Sequence, residues 1–271
     1  MVSFQGEQLS LVPDIGDPQM LFLANNISKM KKDTVLGTRI VEVHNGSSLF
    51  TGKAGQGPSN LRQYILEQDL LECIVAVPEK MFYNTGIGTY LWVLANKKEE
   101  RRKGKVQLID ATSFKKPLRK NLGEKNCEVT EEIRRQILDL YMAFEEADPK
   151  YSKVFQCSEF GYWEVPVYTP QLDENGEPIV DKKGRPVKPA ADKEQVPFSY
   201  EGGIDAFIEN EVKPYNPLAF TKPGTEKKGY ELSFTKYFYQ PVQLRTLEEI
   251  TADIRAIEAE TDGLLEEIIG G

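Results

Sequence analysis

Apolar and polar residues follow two different periods along the first half of the chain, and these periods predict alternating helices and strands. Asp17 and Pro18 suit the N-cap and the first position of a helix, which Gly37 closes. Ser59 is the expected N-cap of a second helix, LRQYILEQ. Short apolar runs predict four strands, the first two interpreted as buried, at residues 39–43, 70–77, 87–94 and 105–109.

The pattern changes near the middle of the chain, where a polar stretch separates the strands from a helix. Residues 115–129 are interpreted as a polar connection. Thr130 and the two glutamates after it predict the start of an amphipathic helix, and Asp148 followed by Pro149 predicts its end. Residues 154–168 are rich in aromatic and β-branched side chains and predict strands.

The last third of the chain contains a polar insertion and a long helix. Residues 170–195 have low hydrophobicity and two similar pieces, ENGEPIV and KKGRPVK, which predict a protruding hairpin or a mobile loop. A short helix is predicted at residues 204–212. Thr246 is the expected N-cap of a terminal helix whose apolar residues fall near heptad spacing.

Together these elements predict an α/β protein in three parts. Residues 1–115 hold the sheet of strands and helices, and residues 116–245 form an α+β extension with a mobile loop at about 170–195. Residues 246–271 form the terminal helix, which is expected to contact another subunit.

The charge of the chain limits the kinds of nucleic-acid binding that it supports. There are 34 basic and 42 acidic residues, and the net charge of −8 argues against binding over the whole surface. Basic residues nevertheless cluster at Lys97–Lys105 and at Lys115–Lys125. Contact with DNA is therefore expected to be local or shared with another chain.

The reactive residue types exclude several classes of site. Cys73, Cys127 and Cys157 have no CxxC spacing, which argues against a disulfide framework or a zinc site and for a reducing compartment, the cytoplasm. His44 is the single histidine, so no histidine-rich metal site is expected. No apolar run approaches the roughly 20 residues that span a bilayer, and no membrane association is predicted.

Small polar residues follow the first predicted strand. His44 to Ser48 read HNGSS, and ligands of open α/β sheets bind beyond the carboxyl ends of the strands. This loop is a candidate pocket wall, and an ordinary strand-to-loop exit is the alternative. The next loop, TGKAGQG, lacks the Gly-Lys-Ser/Thr ending of a loop that binds nucleotide triphosphates, so that function is rejected. Lys53 is a candidate for contact with a DNA phosphate, and a plain turn is the alternative.

Six ordered segments resemble the modification (M) subunits of type I restriction–modification systems, which are S-adenosylmethionine-dependent N6-adenine DNA methyltransferases. They are QMLFLANNISKMK, RIVEVHNGSSLFTG, MFYNTGIGTYLWVL, GKVQLIDATSF, FGYW and AETDGLLEEIIGG. The resemblance implies the later strands of a Rossmann-like methyltransferase sheet, with S-adenosylmethionine as the cofactor and no metal. It also implies DNA, the specificity (S) subunit and, in the full complex, the restriction (R) subunit as partners.

The resemblance also assigns candidate roles to residues near the strand ends. Enzymes that modify a base take it out of the duplex and stack it against flat side chains. The distance of Phe82 from the following strand matches the stacking aromatic residue of the family, and Tyr83 is the alternative. An equally weighted interpretation is that Phe82 only seals the top of the sheet. The pocket-lining candidates are His44, Asn45, Gly46, Ser47, Asn84 and Thr85.

Two signatures of the family do not occur in this sequence. There is no glycine-rich cofactor loop, and no Asn/Asp-Pro-Pro-Phe/Tyr element. Asn216-Pro217 is followed by Leu218 instead of a second proline and is interpreted as a turn. We therefore expect no catalytic residue in this chain and no methylation by the chain alone. The alternative function is a non-catalytic remnant that binds the specificity subunit or DNA.

Overall fold

The computed structural model describes residues 2–4, 7–12, 18–174, 176–177, 179–181, 187–239 and 245–269. The chain divides into two compact units, Met1–Phe234 and Thr235–Gly271. The three-part division expected from the sequence stays a prediction.

The strands in the described ranges are β1 (Val2–Phe4), β2 (Glu7–Leu9), β3 (Arg39–Asn45), β4 (Leu71–Val77), β5 (Thr89–Ala95), β6 (Lys105–Asp110), β7 (Lys116–Leu122), β8 (Lys125–Glu128), β9 (Ser152–Gln156), β10 (Gly161–Thr169), β11 (Ala190–Pro197), β12 (Phe220–Thr221) and β13 (Lys227–Tyr230). The α-helices are α1 (Gln19–Ser28), α2 (Gly57–Glu67), α3 (Glu131–Ala143), α4 (Gly203–Phe207), α5 (Phe234–Phe238) and α6 (Leu247–Ile269). The short helix expected at residues 204–212 is confirmed, because α4 continues as a π-helix over Ile208–Val212.

A five-stranded sheet in the order β3-β5-β4-β6-β9 forms the centre of the first unit. β4 and β6 are parallel, whereas β5 pairs antiparallel with both β3 and β4. Consequently β3, β4 and β6 run in the same direction and end at one edge of the sheet, called here the carboxyl edge. This arrangement confirms the predicted α/β class and the later strands of a Rossmann-like sheet.

The two faces of this sheet are covered by different helices. β4 is buried at every position because it lies between β5 and β6 and both faces of the sheet are covered there. On one face Val75 and Ile109 belong to an apolar cluster that Ile137 of α3 covers. On the other face α1 contacts both β3 and α2. Each fully buried aliphatic side chain contributes about 1.5–3 kcal/mol, so this central layer is the main source of stability.

The interpretation of residues 39–43 as a buried strand is wrong, because β3 lies at the edge of the sheet. Its side chains alternate between the two faces, and only the face towards α1 is covered. Val41 and Val43 on the opposite face are 60% and 51% exposed. They lie opposite Val93 and Leu91 of β5, beyond the area that α3 covers.

The helix ends depart from the expected residues at three places. α1 begins after Pro18 and ends at Ser28, before the expected Gly37, and Asp17 lies outside the described residues. α2 begins at Gly57, two residues before Ser59. The Ser59 hydroxyl therefore does not cap the helix and instead accepts a hydrogen bond from the Tyr230 N–H at 3.2 Å. α3 starts at the expected cap, Thr130, but ends at Ala143, before Asp148.

The polar segments of the second half contain more strand than the sequence suggests. β10 and β11 pair as a hairpin from Tyr162–Pro197 to Thr169–Ala190, so residues 190–195 of the predicted insertion lie in a strand. Part of the segment between the two strands lies outside the described residues, and the mobile loop stays a prediction. Residues 115–129 connect β6 to α3, as expected, but residues 116–128 of this polar connection form the hairpin β7–β8, which the sequence pattern did not predict. The backbone groups of paired strands bond to each other whatever the side chains are. A polar hairpin can therefore form without the apolar pattern from which strands are predicted.

The second unit contains the terminal helix α6, and its predicted start is confirmed. The Thr246 hydroxyl accepts a hydrogen bond from the Glu249 N–H at 3.2 Å, and the Glu249 carboxylate accepts one from the Thr246 N–H at 2.9 Å. This reciprocal capping box stabilises the first turn. The apolar side chains of Ile250, Ile254 and Ile257 are exposed.

Candidate functional site

The carboxyl edge of the sheet gathers polar residues that are far apart in the sequence. Asn45 ends β3 and pairs with Thr89 at the start of β5, which also pairs with Val77 at the end of β4. Ala76 of β4 pairs with Asp110 at the end of β6. The loops that follow these three strands are therefore neighbours, as expected for a binding edge of an α/β sheet.

Gln19 of α1 holds the loop that follows β3. Its amide nitrogen donates to Asn45 Oδ1 at 2.8 Å and to Ser47 Oγ at 2.9 Å, and its amide oxygen accepts from the Asn45 N–H at 3.0 Å. Asn45 Oδ1 also accepts from the Ser47 N–H at 2.9 Å, which caps a 3-10 turn over Gly46–Leu49. Sequence reasoning missed Gln19, because its position on an amphipathic helix carries no signal of this contact.

His44 lies inside this network. Its side chain is buried, its ring meets Trp92 edge-on at 5.6 Å, and Nδ1 lies 3.2 Å from the amide oxygen of Gln19. Nε2 lies 3.6 Å from a carboxylate oxygen of Glu42. Burial raises the pKa of Glu42, and a hydrogen bond from Asn26 opposes that shift. The pocket-lining role of His44 stays a prediction.

Arg62 of α2 fixes the other end of the same loop. Its guanidinium donates to three backbone carbonyls, those of Tyr230 at 2.6 Å, Ser48 at 3.0 Å and Thr51 at 2.7 Å. The side chain is 1% exposed, and burial lowers the pKa of Arg62 to about 10. It stays charged at neutral pH, and the three carbonyls replace the lost water. Sequence reasoning also missed this residue.

Tyr90 and Thr89 of β5 complete the edge near Gly46. A Cβ atom at Gly46 would lie 3.4 Å from the Tyr90 ring, so Gly46 allows the loop to approach β5 closely. Burial raises the pKa of Tyr90, and the charges of Asp110 and Glu79 raise it further. Within the described part of the chain, the buried Thr89 hydroxyl has no hydrogen-bond partner.

The two stacking candidates lie next to each other in the loop between β4 and β5 but have different environments. Phe82 is half-buried and packs against the apolar cluster that includes Val75 and Val77, whereas Tyr83 is 61% exposed. Asn84 is exposed, and Thr85 is held by a bridge to Phe82 and by the Ile87 N–H, which donates to its hydroxyl at 3.3 Å. Phe82 is therefore in contact with the sheet, as its sealing interpretation requires, and base stacking by Phe82 or Tyr83 stays a prediction.

This difference gives a testable pair of substitutions. Phe82→Ala is expected to lower the free energy of unfolding by about 2 kcal/mol, because it empties a half-buried position in the apolar cluster. Tyr83→Ala is expected to change it by less than about 0.5 kcal/mol, because most of its ring is exposed. Urea unfolding of both variants measures the difference. Equal stability of the two variants would contradict the assignment of Phe82 as the seal.

The hairpin β7–β8 packs on this loop. The Glu124 N–H donates to the Tyr83 carbonyl at 3.0 Å, and the Asn126 N–H donates to the Lys80 carbonyl at 3.1 Å. Gly123 at the turn has φ +61°, and a Cβ there would lie 2.8 Å from the Tyr83 carbonyl oxygen. Glycine is therefore required at this position by both conformation and space.

The glycine loop after β3 is anchored as a turn. Gly52 and Gly55 have φ values of +90° and +75°, which favour glycine. The Gly55 N–H donates to the Lys228 carbonyl at 3.1 Å, and the Gln56 N–H donates to the Lys53 carbonyl at 3.0 Å. The Lys53 side chain is exposed, and its contact with a DNA phosphate stays a prediction.

Asn216 and its neighbours form a turn, as expected, with the Asn216 amide donating to Thr169 Oγ1 at 2.7 Å.

A buried charged network lies at the opposite end of β4. The fully buried Glu72 accepts hydrogen bonds from Arg39 at 3.1 Å and from the Tyr141 hydroxyl at 2.8 Å. Buried Arg102 lies 3.7 Å from Glu72 and is placed over the rings of Tyr141 and Phe144 at 4.1 and 4.4 Å. Its distance along β4 from the carboxyl edge assigns this network to stability.

Two kinds of feature are absent from the described ranges of the chain. In those ranges no group of three or more His, Cys, Asp or Glu side chains is placed to hold a metal ion. None of the helices found there combines the length and hydropathy needed to cross a membrane.

Comparison with known proteins shows similarity to a DNA-modifying family. Residues 8–164 match the family model described as N-6 DNA Methylase. The chain is 31% identical over 170 residues to the Type I restriction enzyme MjaIX methylase subunit of Methanocaldococcus jannaschii, covering 61% of this chain and 28% of that protein. It is 45% identical over 51 residues to the Type I restriction enzyme HindI methylase subunit of Haemophilus influenzae, covering 19% and 11%.

Solved structures show related similarities. One is a type I restriction-modification system methyltransferase subunit from Streptococcus thermophilus, with a TM-score of 0.44 and 22% identity over 53% of this chain and 28% of that chain. Another is a modification subunit of a putative type I restriction enzyme from Vibrio vulnificus YJ016, with a TM-score of 0.41 and 17% identity over 59% and 30%. The chain spans less than a third of the length of each of these four proteins.

Proposed function

The chain belongs to the N-6 DNA Methylase family, and we propose that it forms the later part of the modification subunit of a type I restriction–modification system. The match of residues 8–164 carries this proposal, because it spans more than half of the chain and includes every loop of the carboxyl edge. In a complete subunit, the proposed reaction transfers a methyl group from S-adenosylmethionine to N6 of adenine in DNA.

Most of the polar atoms that the loop after β3 presents at the carboxyl edge are engaged within the chain rather than free to hold S-adenosylmethionine. Asn45 Oδ1 and the Ser47 hydroxyl bond to each other and to the Gln19 amide, so these two oxygens are used within the loop. The amide oxygen of Gln19 is shared between Asn45 and His44. We propose that cofactor binding and catalysis require residues of a complete subunit beyond those of this chain, and that this chain alone does not methylate DNA.

The contribution proposed for this chain is to shape and hold the site of the adenine. Gln19 and Arg62 fix the loop after β3 from its two ends. The exposed ring of Tyr83, supported by the half-buried Phe82 beside it, supplies a flat surface at the same edge. Stacking of a base on an aromatic ring is worth about 1–3 kcal/mol, which is enough to favour a base that has left the duplex.

The proposed partners follow from the same assignment. DNA would approach the carboxyl edge, and the specificity subunit would contact the terminal helix, whose Ile250, Ile254 and Ile257 are exposed at helical spacing. The restriction subunit would join in the full complex. The three thiols, free in the described residues, suit a reducing compartment, so the proposed location is the cytoplasm.

Complementation tests the proposal. The chain is mixed with a separately expressed amino-terminal segment of the MjaIX methylase subunit, the specificity subunit and duplex DNA, and N6-methyladenine is measured. The matched control replaces this chain with the corresponding carboxyl-terminal segment of the MjaIX subunit itself. Methyladenine with both mixtures, and none with either segment alone, is the expected result. Activity of the control mixture together with an inactive mixture containing this chain would favour a non-catalytic remnant.

A further inference from the structure

Two basic clusters look alike in the sequence, but the structure gives them different environments. In the first, Lys97–Lys105, most of the cations are neutralised within the chain. Its ion pairs are Lys98–Asp69, Arg101–Glu99 at 2.9 Å, Arg102–Glu72 at 3.7 Å, Lys103–Glu100 at 2.6 Å and Lys105–Glu145 at 2.6 Å. These residues lie at or before the start of β6, away from the carboxyl edge.

The second cluster lies on the hairpin β7–β8 and has no such neutralisation. Residues 115–128 contain five basic residues and two acidic ones, on a chain with a net charge of −8. Across the part of the chain that the structure describes, no salt bridge involves any of the five. The four exposed cations are Lys115, Lys116, Arg119 and Lys120. Glu128 lies opposite Lys116 in the hairpin, but the basic residues outnumber the acidic ones, and such an excess of like charge attracts anions.

The hairpin holds these charges at a fixed place beside the base-stacking candidates. Its turn bonds to the Tyr83 and Lys80 carbonyls through the N–H groups of Glu124 and Asn126. The buried Cys127 Sγ donates to the Glu79 carbonyl at 3.3 Å. The turn and β8 are thus attached to the first part of the loop that follows β4, between Glu79 and Tyr83, which places β7 and its cations beside that loop.

We propose that the hairpin β7–β8 is an arm that binds the phosphate backbone of duplex DNA next to the base held at the carboxyl edge, with Arg119 and Lys120 as its main contacts. This inference rests on the proposed function, which supplies DNA as the polyanion. The two carboxylates of the hairpin, Glu124 and Glu128, lie at the turn and at the end of β8, so Arg119 and Lys120 are left clear in the middle of β7.

The salt dependence of DNA binding tests the arm. Fluorescence anisotropy with a labelled duplex is measured over a range of salt concentrations for the wild-type chain and for the double variant Arg119→Gln/Lys120→Gln. Each lost phosphate contact is expected to reduce the slope of log K against log salt by roughly 0.9, so the slope should fall by roughly 2. The matched control is Arg101→Gln/Lys103→Gln, which removes the same charge from the neutralised cluster and should leave the slope unchanged.

The other outcomes are also informative. An equal slope in the hairpin variant and the wild type, or no duplex binding by the wild-type chain at low salt, would overturn the arm. Binding to an acidic polypeptide but not to the duplex would overturn it in favour of a protein partner. If complementation yields methyladenine while the slope is unaffected, the arm fails and the proposed function stands. If the slope falls while only the control mixture of the complementation experiment forms methyladenine, the proposed function fails and the arm stands. Unchanged hydrogen exchange at the Glu124 and Asn126 amides confirms that the variant keeps its hairpin.

Discussion

Arg62→Met is expected to lower the free energy of unfolding by about 3–5 kcal/mol, because it removes the donor that three inward-facing carbonyls share. Methionine keeps most of the aliphatic stem, so the loss reports the hydrogen bonds rather than a cavity. Two of the carbonyls belong to the loop after β3 and the third to β13, so the variant should also loosen the carboxyl edge.

Urea unfolding followed by tryptophan fluorescence measures this change, because Trp92 and Trp163 are the two tryptophans and both lie in the first unit. The matched control is Arg135→Met on α3, where the side chain is 76% exposed and its carboxylate neighbour lies 3.6 Å away. Surface pairs of this kind contribute little, so the control should stay within about 0.5 kcal/mol of the wild type. Similar stability of the two variants would show that Arg62 is not the link between the loop and β13.

Glu72→Gln is expected to cost about 3–5 kcal/mol, because it leaves buried Arg102 without a balancing charge. Glutamine has the size of glutamate, so the substitution changes charge and hydrogen bonding but not packing. Burial and the hydrogen bond to Glu72 raise the pKa of Tyr141 to about 12. The variant should therefore also move the pKa of Tyr141 back towards its ordinary value.

The second part of this experiment separates charge balance from other causes. Adding Arg102→Met to Glu72→Gln removes the unbalanced cation and should recover much of the lost stability, which a double-mutant cycle quantifies. Glu99→Gln is the control, since that carboxylate is exposed and pairs with exposed Arg101. Additive effects of Glu72→Gln and Arg102→Met would mean that the two residues stabilise the fold independently.

Elements with local signals were determined by the sequence itself. The run LLECIVAV produces β4, which is buried at every position, and Thr130 and Thr246 cap the helices that follow them. Residues 162–169 and 190–197, which flank the polar insertion, pair as a hairpin. Each of these signals acts over a few residues, through helix capping, apolar burial or turn preference, so no distant segment has to be known.

Only the tertiary structure decided the environment of the site. The apolar run of β3 resembles that of a buried strand, yet its place at the sheet edge leaves Val41 and Val43 exposed. Gln19 meets Asn45 across 26 positions, and Arg62 meets Tyr230 across 168.

The two basic clusters illustrate the same limit, since both are short runs of Lys and Arg in the sequence. The carboxylates of Asp69, Glu72 and Glu145 reach the first cluster from distant segments, whereas no carboxylate of the described chain forms a salt bridge with a cation of the hairpin β7–β8. The period and the caps of an element depend on its own residues. The partner of a charge, an amide or a strand edge depends on which remote segments the completed fold brings beside it.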